Sequence, residues 1–392
     1  MSRSRPAAVP LPAGRLAAWR LGRQLLHDGG PASDPEAVAT TLVGVQAQVV
    51  SSAALSVALR GADLTIEDLP AALVERRLVR AWAMRGTLHA FAADDYPTIV
   101  AALRRRETWR RPVWFRYFEV TEAEMEAIIE GVGAVLDDGR PRTRAELTDE
   151  LGRHVGRGLS RQLASSWGTL LKPAAERGYL IHATGDGTGV TFTRPDRWIG
   201  RWRDENPEEA LVVVLRRYLA AYGPASEKDI LRWWGGLKPS FIRPALAALA
   251  GELIEVEVDG ERGFLLAGDV AEIEATAPLD GTAHFLGPFD PFVVGAGARD
   301  ALIPAAHYAR VSRTAGWISP VVLLDGVVAG IWNGSRANGG YAMTVDLFGR
   351  AERAVRRRIE AAAARVAAAQ GATARVTYGP VFAAPTAGAV EG

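Results

Sequence analysis

Pro224-Ala225-Ser226-Glu227-Lys228-Asp229 repeats, almost residue for residue, Pro31-Ala32-Ser33-Asp34-Pro35-Glu36, and Pro141-Arg142-Thr143-Arg144-Ala145-Glu146 is a third copy. In each, a hydroxyl residue is followed three positions later by a carboxylate, a pair that can cap free backbone donors reciprocally and so open a helix. An amphipathic stretch precedes each copy: Arg15 to Leu26, Glu122 to Leu136 and Glu208 to Tyr222. A turn, a further helix (Ser52 to Leu59, Ser160 to Arg177, Ser240 to Leu249) and β-rich sequence follow. Those β segments are Leu78 to Phe91, Leu180 to Phe192 with the tip Gly185-Asp186-Gly187-Thr188-Gly189, and Leu253 to Leu266 with the turn Asp259-Gly260. Helix, helix-turn-helix and hairpin make a winged-helix unit, so the chain is expected to be α+β with three tandem units over residues 1–121, 122–205 and 206–275. From about Thr276 glycine and β-branched residues dominate, with a hairpin turn at Asp325-Gly326, a helix from Arg350 to Gln370 and a last strand from Ala374 to Tyr378. Residues 276–385 read as a fourth, β-barrel-like or curled-sheet domain.

The repeat singles out one tripeptide. Thirteen residues beyond the capping hydroxyls stand Gln46, Gly156 and Pro239. The second and third copies have turn formers there, whereas the first has Gln46-Ala47-Gln48, with Gly44 before it and Ser51-Ser52 after it. Residues i and i+2 diverge by about 200° on a helix but share a side in extended backbone, so Gln46 and Gln48 are expected to point the same way.

Composition bounds the chemistry. With 392 residues, 48% hydrophobic and 23% charged, the chain can build more than one core. It has no cysteine, which removes disulfides, cysteine-ligated zinc, iron–sulfur clusters and a thiol nucleophile. No stretch approaches 18 uninterrupted apolar residues and the first fifteen carry no signal-peptide pattern, so a cytoplasmic, nucleoid-associated protein is expected. The formal net charge is only +1, but all except Lys172, Lys228 and Lys238 of the 46 basic residues are arginines. They bunch at Arg76 to Arg85, Arg104 to Arg116, Arg140 to Arg144 and Arg356 to Arg358, either as solvated faces or as phosphate contacts.

Four ordered motifs, Gln46-Ala47-Gln48, Trp82-Ala83-Met84-Arg85-Gly86-Thr87-Leu88-His89, Pro288-Phe289-Asp290-Pro291 and Asp325-Gly326-Val327-Val328-Ala329-Gly330-Ile331-Trp332, make the chain resemble the winged-helix DNA glycosylases of the AlkZ and YcaQ type over roughly residues 15–380. The resemblance implies a C-shaped molecule wrapped on duplex DNA, with Gln46 and Gln48 catalytic and no cofactor or metal. Among relatives the Gln-apolar-Gln version is similar to the antibiotic self-resistance branch. That branch removes bulky N7-alkylguanine adducts or unhooks interstrand crosslinks, and the implied partner is alkylated double-stranded DNA bound by a monomer. Two amides suit such a leaving group: N7 alkylation leaves a cationic base, so a positioned water suffices without a strong general acid.

Other residues have two readings. Arg85 and His89, on a wing strand, are DNA-contact candidates, with a structural histidine as the alternative. Asp290 either pins a turn or acts as a base. Asn333, Arg336 and Asn338, in the donor-rich segment joining two strands, either probe the groove or form an ordinary hairpin loop. The rival function is a non-enzymatic winged-helix regulator, which needs long polar side chains on the first recognition helix. The sequence there is Ser51-Ser52-Ala53-Ala54-Leu55-Ser56-Val57-Ala58-Leu59. An interaction scaffold is the third class.

Overall fold

In a computed structural model of the chain, which describes residues 8–27, 30–156, 163, 168–183, 189–296, 299–337 and 339–381, each repeated segment opens a helix. Thr143 and Glu146 form the reciprocal box ahead of Arg144–Val155. Ser226 and Asp229 do the same ahead of Glu227–Trp234, the Ser226 N–H donating to Asp229 at 3.0 Å and the Asp229 N–H to the Ser226 hydroxyl at 3.2 Å. The first copy differs from the expectation. Asp34, not Ser33, caps Pro35–Thr41, accepting the Ala37 N–H at 2.7 Å, while the Ser33 hydroxyl donates to Asp34 at 2.6 Å. Pro35 explains the shift: its fixed φ suits the first helical position, so the residue before it becomes the cap.

The chain divides into two compact units, one made chiefly of Met1–Pro70, Arg216–Ile230 and Ala248–Ala389, the other of Ala71–Leu215 and Leu231–Ala247. In the first unit the helix Ala13–Arg23 buries Leu16, Trp19 and Leu21. Leu16 and Trp19 meet the hairpin Leu253–Val258/Glu261–Leu266 through Val256 and Leu265, and Val9–Pro10 adds a short parallel edge to that hairpin. A second sheet in this unit runs in the order Ala283–Leu286, Val321–Leu324, Val327–Ala337, Gly340–Leu347, Ala374–Tyr378. It is open, which corrects the barrel expectation. The last strand follows the crossover helix Arg353–Ala369 and pairs in parallel with Gly340–Leu347, from Tyr341↔Ala374 to Val345↔Tyr378. A crossover helix of this kind covers one sheet face, here with Ile359, Ala363 and Val366 against Phe285, Val322 and Trp332. The two edge strands, Ala283–Leu286 and Ala374–Tyr378, are not paired with each other.

In the second unit the helices Glu122–Val135 and Arg144–Val155 pack through Ile128, Val132, Leu147 and Leu151. Strands Leu78–Trp82 and Leu88–Ala92 pair from Leu78↔Ala92 to Trp82↔Leu88, and Arg80↔His182 joins this hairpin to Ile181–Ala183. Thr191–Thr193 and Arg142–Thr143 continue the sheet. The β segments of the first and second repeats thus share one sheet. The glycine-rich tip 185–188 and residues 160–162 and 164–167 of the expected Ser160 to Arg177 helix lie outside the described residues; the rest of that span includes Thr169–Leu171 followed by Lys172–Glu176.

Candidate active site

The Gln-Ala-Gln turn is built by a sharp helix stop. After Thr41 the backbone turns left-handed at Val43 (φ 54°) and Gly44 (φ 96°), and the Gly44 N–H closes on the Ala39 carbonyl at 2.8 Å. That is the geometry of a glycine-terminated helix. Tyr222 pins the stop by donating its hydroxyl to the buried Leu42 carbonyl at 2.8 Å. Val45–Gln46 is extended, and the next helix, Val50–Ala58, starts after the extended Val49 with no side-chain cap, slightly earlier than Ser51-Ser52 suggests. Leu42, Val45 and Ala47 are fully buried anchors, while Gln46 is 8% exposed and Gln48 half-buried. The tripeptide is therefore fixed by apolar residues on either side of each amide.

The helix that Gln48 leads into borders a cleft of about 520 Å³ within the first unit, lined among others by Ser51, Ser52, Leu55, Trp317, Trp332 and Asn333. Trp332 is locked there by donating its indole N–H to the Leu286 carbonyl at 2.9 Å. The segment after it corrects the loop expectation. Residues 333–337 belong to a strand that stays in register with its partner from Asn333↔Thr344 to Ala337↔Gly340. The hairpin persists because Gly334 admits the Tyr341 ring, which a Cβ there would meet at 2.5 Å. Asn333 reaches the cleft wall, Arg336 is exposed and donates to the Gln370 carbonyl, and Asn338 lies outside the described residues.

Asp290 is fully buried and accepts four hydrogen bonds: from Arg60 Nη1 (2.9 Å) and Nη2 (2.8 Å), the Ser56 hydroxyl (2.9 Å) and the Phe292 N–H (2.9 Å). Arg60, equally buried, also donates to the carbonyls of Gln24 (2.9 Å) and Ser56 (2.8 Å). With its acceptor sites taken up by fixed donors, Asp290 pins the Pro288–Pro291 turn. Sequence reasoning missed Arg60. Its signal was a lone charge closing the uncharged, mostly apolar run Ala53 to Leu59.

Arg85 and His89 lie in the second unit and come together there. Arg85 occupies the left-handed region (φ 58°) in the turn Met84–Gly86 rather than on the strand itself. It donates Nη1 to the Trp233 carbonyl at 2.8 Å and Nη2 to His89 Nε2 at 3.2 Å. His89 Nδ1 donates to the Thr87 carbonyl at 3.1 Å, which sets the tautomer, and the ring is 2% exposed. Burial first, and the Arg85 charge second, hold His89 down to about 3, so it is a neutral acceptor. Both ring nitrogens are thereby engaged within the protein.

A sequence profile for the DNA glycosylase AlkZ-like family matches residues 39–369. This chain belongs to the AlkZ-like DNA glycosylase family. Its sequence is 38% identical over 365 residues, covering 90% of this chain and 95% of the relative, to a Streptomyces sahachiroi protein named interstrand DNA cross-link repair glycosylase. The solved structure of Streptomyces sahachiroi DNA glycosylase AlkZ is similar to it with a TM-score of 0.87 at 34% identity, covering 94% of this chain and all of the other. This AlkZ-like protein is accordingly a DNA glycosylase, an enzyme that acts on DNA. Among its described residues, no helix is long and apolar enough to cross a membrane.

Proposed function

We propose that the enzyme hydrolyses the N-glycosidic bond of bulky N7-alkylguanine adducts in duplex DNA and unhooks interstrand crosslinks, protecting its host from a DNA-alkylating natural product. The observation that carries this is the Gln46-Ala47-Gln48 turn: two amides on a rigid non-helical segment between two helices, in a chain 38% identical to an interstrand cross-link repair glycosylase. Gln46 and Gln48 point to one side, accept from a water and hold it against C1′ as the cationic base departs. The only lysines of the sequence, Lys172, Lys228 and Lys238, fall in the second and third repeats rather than the first, so water rather than an amine attacks, and an abasic site with an intact backbone is left. The enzyme is monofunctional, metal-independent and monomeric, and works where chromosomal DNA is. Three winged-helix units over 1–121, 122–205 and 206–275, with the 276–385 domain as a brace, form a C around the duplex. Arg85, Asn333, Arg336 and Asn338 face DNA, and His89 serves by holding Arg85.

The regulator alternative is disfavoured by the helix Val50–Ala58, in which every residue from Ser52 to Ala58 is buried, leaving no face to read base edges. The test is single-turnover excision from a duplex carrying a bulky N7-alkylguanine. Gln46→Ala and Gln48→Ala should each slow base release about 100-fold or more with duplex affinity near wild type. Borohydride should trap no protein–DNA adduct, and EDTA should not inhibit. A double variant releasing base at the wild-type rate would end the proposal.

A further inference from the structure

Beneath the turn Met84–Gly86 in the second unit, two cations converge on one spot beside Gly86. Arg106 is nearly buried. Its Nε donates to the Gly235 carbonyl, and its Nη1 donates to the Ala83 carbonyl and lies 3.2 Å from Glu176 Oε1. Among the described residues neither Arg106 Nη2 nor Lys172 Nζ meets a protein acceptor. Both approach one spot: a Cβ built on Gly86 would lie 3.5 Å from Arg106 Nη2 and 3.9 Å from Lys172 Nζ. Gly86 has no side chain to fill that space, and its φ of +69° keeps other residues from adopting the same backbone cheaply. Gly86 and Lys172 are only half-buried, so the space is reachable from solvent.

The charge balance is incomplete. Glu176 is the carboxylate that faces this pair; its Oε1 also accepts weakly from Thr108 at 3.5 Å, and its Oε2 is buried without a partner. Burial pushes the Glu176 carboxyl up, against the pull of the Arg106 and Lys172 charges, and this one carboxylate faces two cations. Burial, followed by the Arg106 charge, pulls Lys172 below the usual lysine range. Two like charges held at one spot on a rigid frame favour an anion that completes them.

We infer that the space beside Gly86 is an oxyanion site for a backbone phosphodiester of the DNA substrate, one oxygen shared between Arg106 Nη2 and Lys172 Nζ. The assignment to DNA rests on the glycosylase reading above. It makes Gly86 a recognition position: the missing side chain is where the phosphate oxygen goes. Lys172 then contributes to affinity and not to the attack on C1′.

The test is the salt dependence of binding to an undamaged duplex oligonucleotide. Each phosphate contact contributes about 0.9 to the slope of log K against log salt. Lys172→Gln should lower the slope by about that amount, and Lys172→Arg should restore it. Gly86→Ala should lower it too, although no charge is removed, because the methyl occupies the oxygen's place; if that variant fails to fold, the lysine pair still decides. An unchanged slope in Lys172→Gln overturns the inference. Inorganic phosphate supplies the second arm: if it raises the Tm of the wild type but not of Lys172→Gln while the DNA slopes agree, the site takes free phosphate and the DNA assignment falls. Neither arm uses base release, so failure here leaves the glycosylase reading standing, whereas a wild type that releases no base overturns that reading alone.

Discussion

At the scale of single residues, the two histidines closest to the shared sheet have different surroundings and one electrostatic consequence. His89 is satisfied on both nitrogens, whereas His182 is edge-on to Trp82 and Phe192 with neither nitrogen bonded. Burial lowers both, His89 to about 3. The folded protein thus resists protonation that the unfolded chain accepts below about 6.5, and the unfolded state binds more protons as pH falls. Stability should therefore decline from about pH 6.5 towards pH 3, within a profile that acidic groups also shape. Urea midpoints at stepped pH should fall less steeply below 6.5 for His182→Phe, which fits among the rings and cannot take a proton; a slope equal to wild type would refute the assignment. Because His89 stays neutral, no step in the excision rate near pH 6.5 should trace to it.

At the scale of elements, the three repeats separate by how each helix is capped. Thr143→Ala and Ser226→Ala each remove a hydroxyl that caps a helix N-terminus and should cost about 1 kcal/mol. Ser33→Ala should cost close to nothing, because Asp34 carries the first cap; Asp34→Ala should cost about 1 kcal/mol instead. Chemical denaturation of the four variants checks this ordering, and an expensive Ser33→Ala would restore the simple repeat. The strand pair Val327–Ala337 and Gly340–Leu347 belongs to the same scale. A loop of seven or eight residues would bend freely, whereas a ribbon paired to its tip carries Asn333 and Arg336 at fixed positions.

At the scale of the molecule, the Arg60–Asp290 pair ties together pieces distant in sequence. It joins the end of the helix after the glutamines, the carbonyl of Gln24 that follows the first helix, and the Pro288–Pro291 turn beneath the open sheet. Both side chains are fully shielded from water, so removing one leaves the other charge buried and unpaired. Asp290→Ala and Arg60→Met should each destabilise the unit by about 3–5 kcal/mol, with the double variant less affected than the sum. Denaturant midpoints of the four proteins of that cycle test it, and additive losses would show that the two do not act as a pair. Were Asp290 a catalytic base instead, its removal would slow excision with stability unchanged.

The capped helices and the main β segments were legible in order from the sequence, whereas the helices Asp68–Val74, Tyr96–Leu103 and Pro112–Phe118 and the strand running on past Asn333 were not. The capping pairs, the glycine stops and the alternating β segments are local signals, since hydrogen bonds over three or four residues and period-2 or period-3.6 apolar patterns need no distant partner. The Gln-Ala-Gln turn was legible for the same reason: Gly44 ends one helix within two residues of Gln46. What the local signals could not decide was which strand pairs with which, and which charge ends up dry. The last strand closes on Gly340–Leu347 in parallel and leaves the sheet open, the hairpin of the first repeat joins the second through Arg80↔His182, and Arg106 is nearly buried beside Lys172. Each depends on residues tens to hundreds of positions apart meeting in the core. Only the packed structure sets the burial that turns an arginine on a surface list into a buried pair or one wall of an anion site.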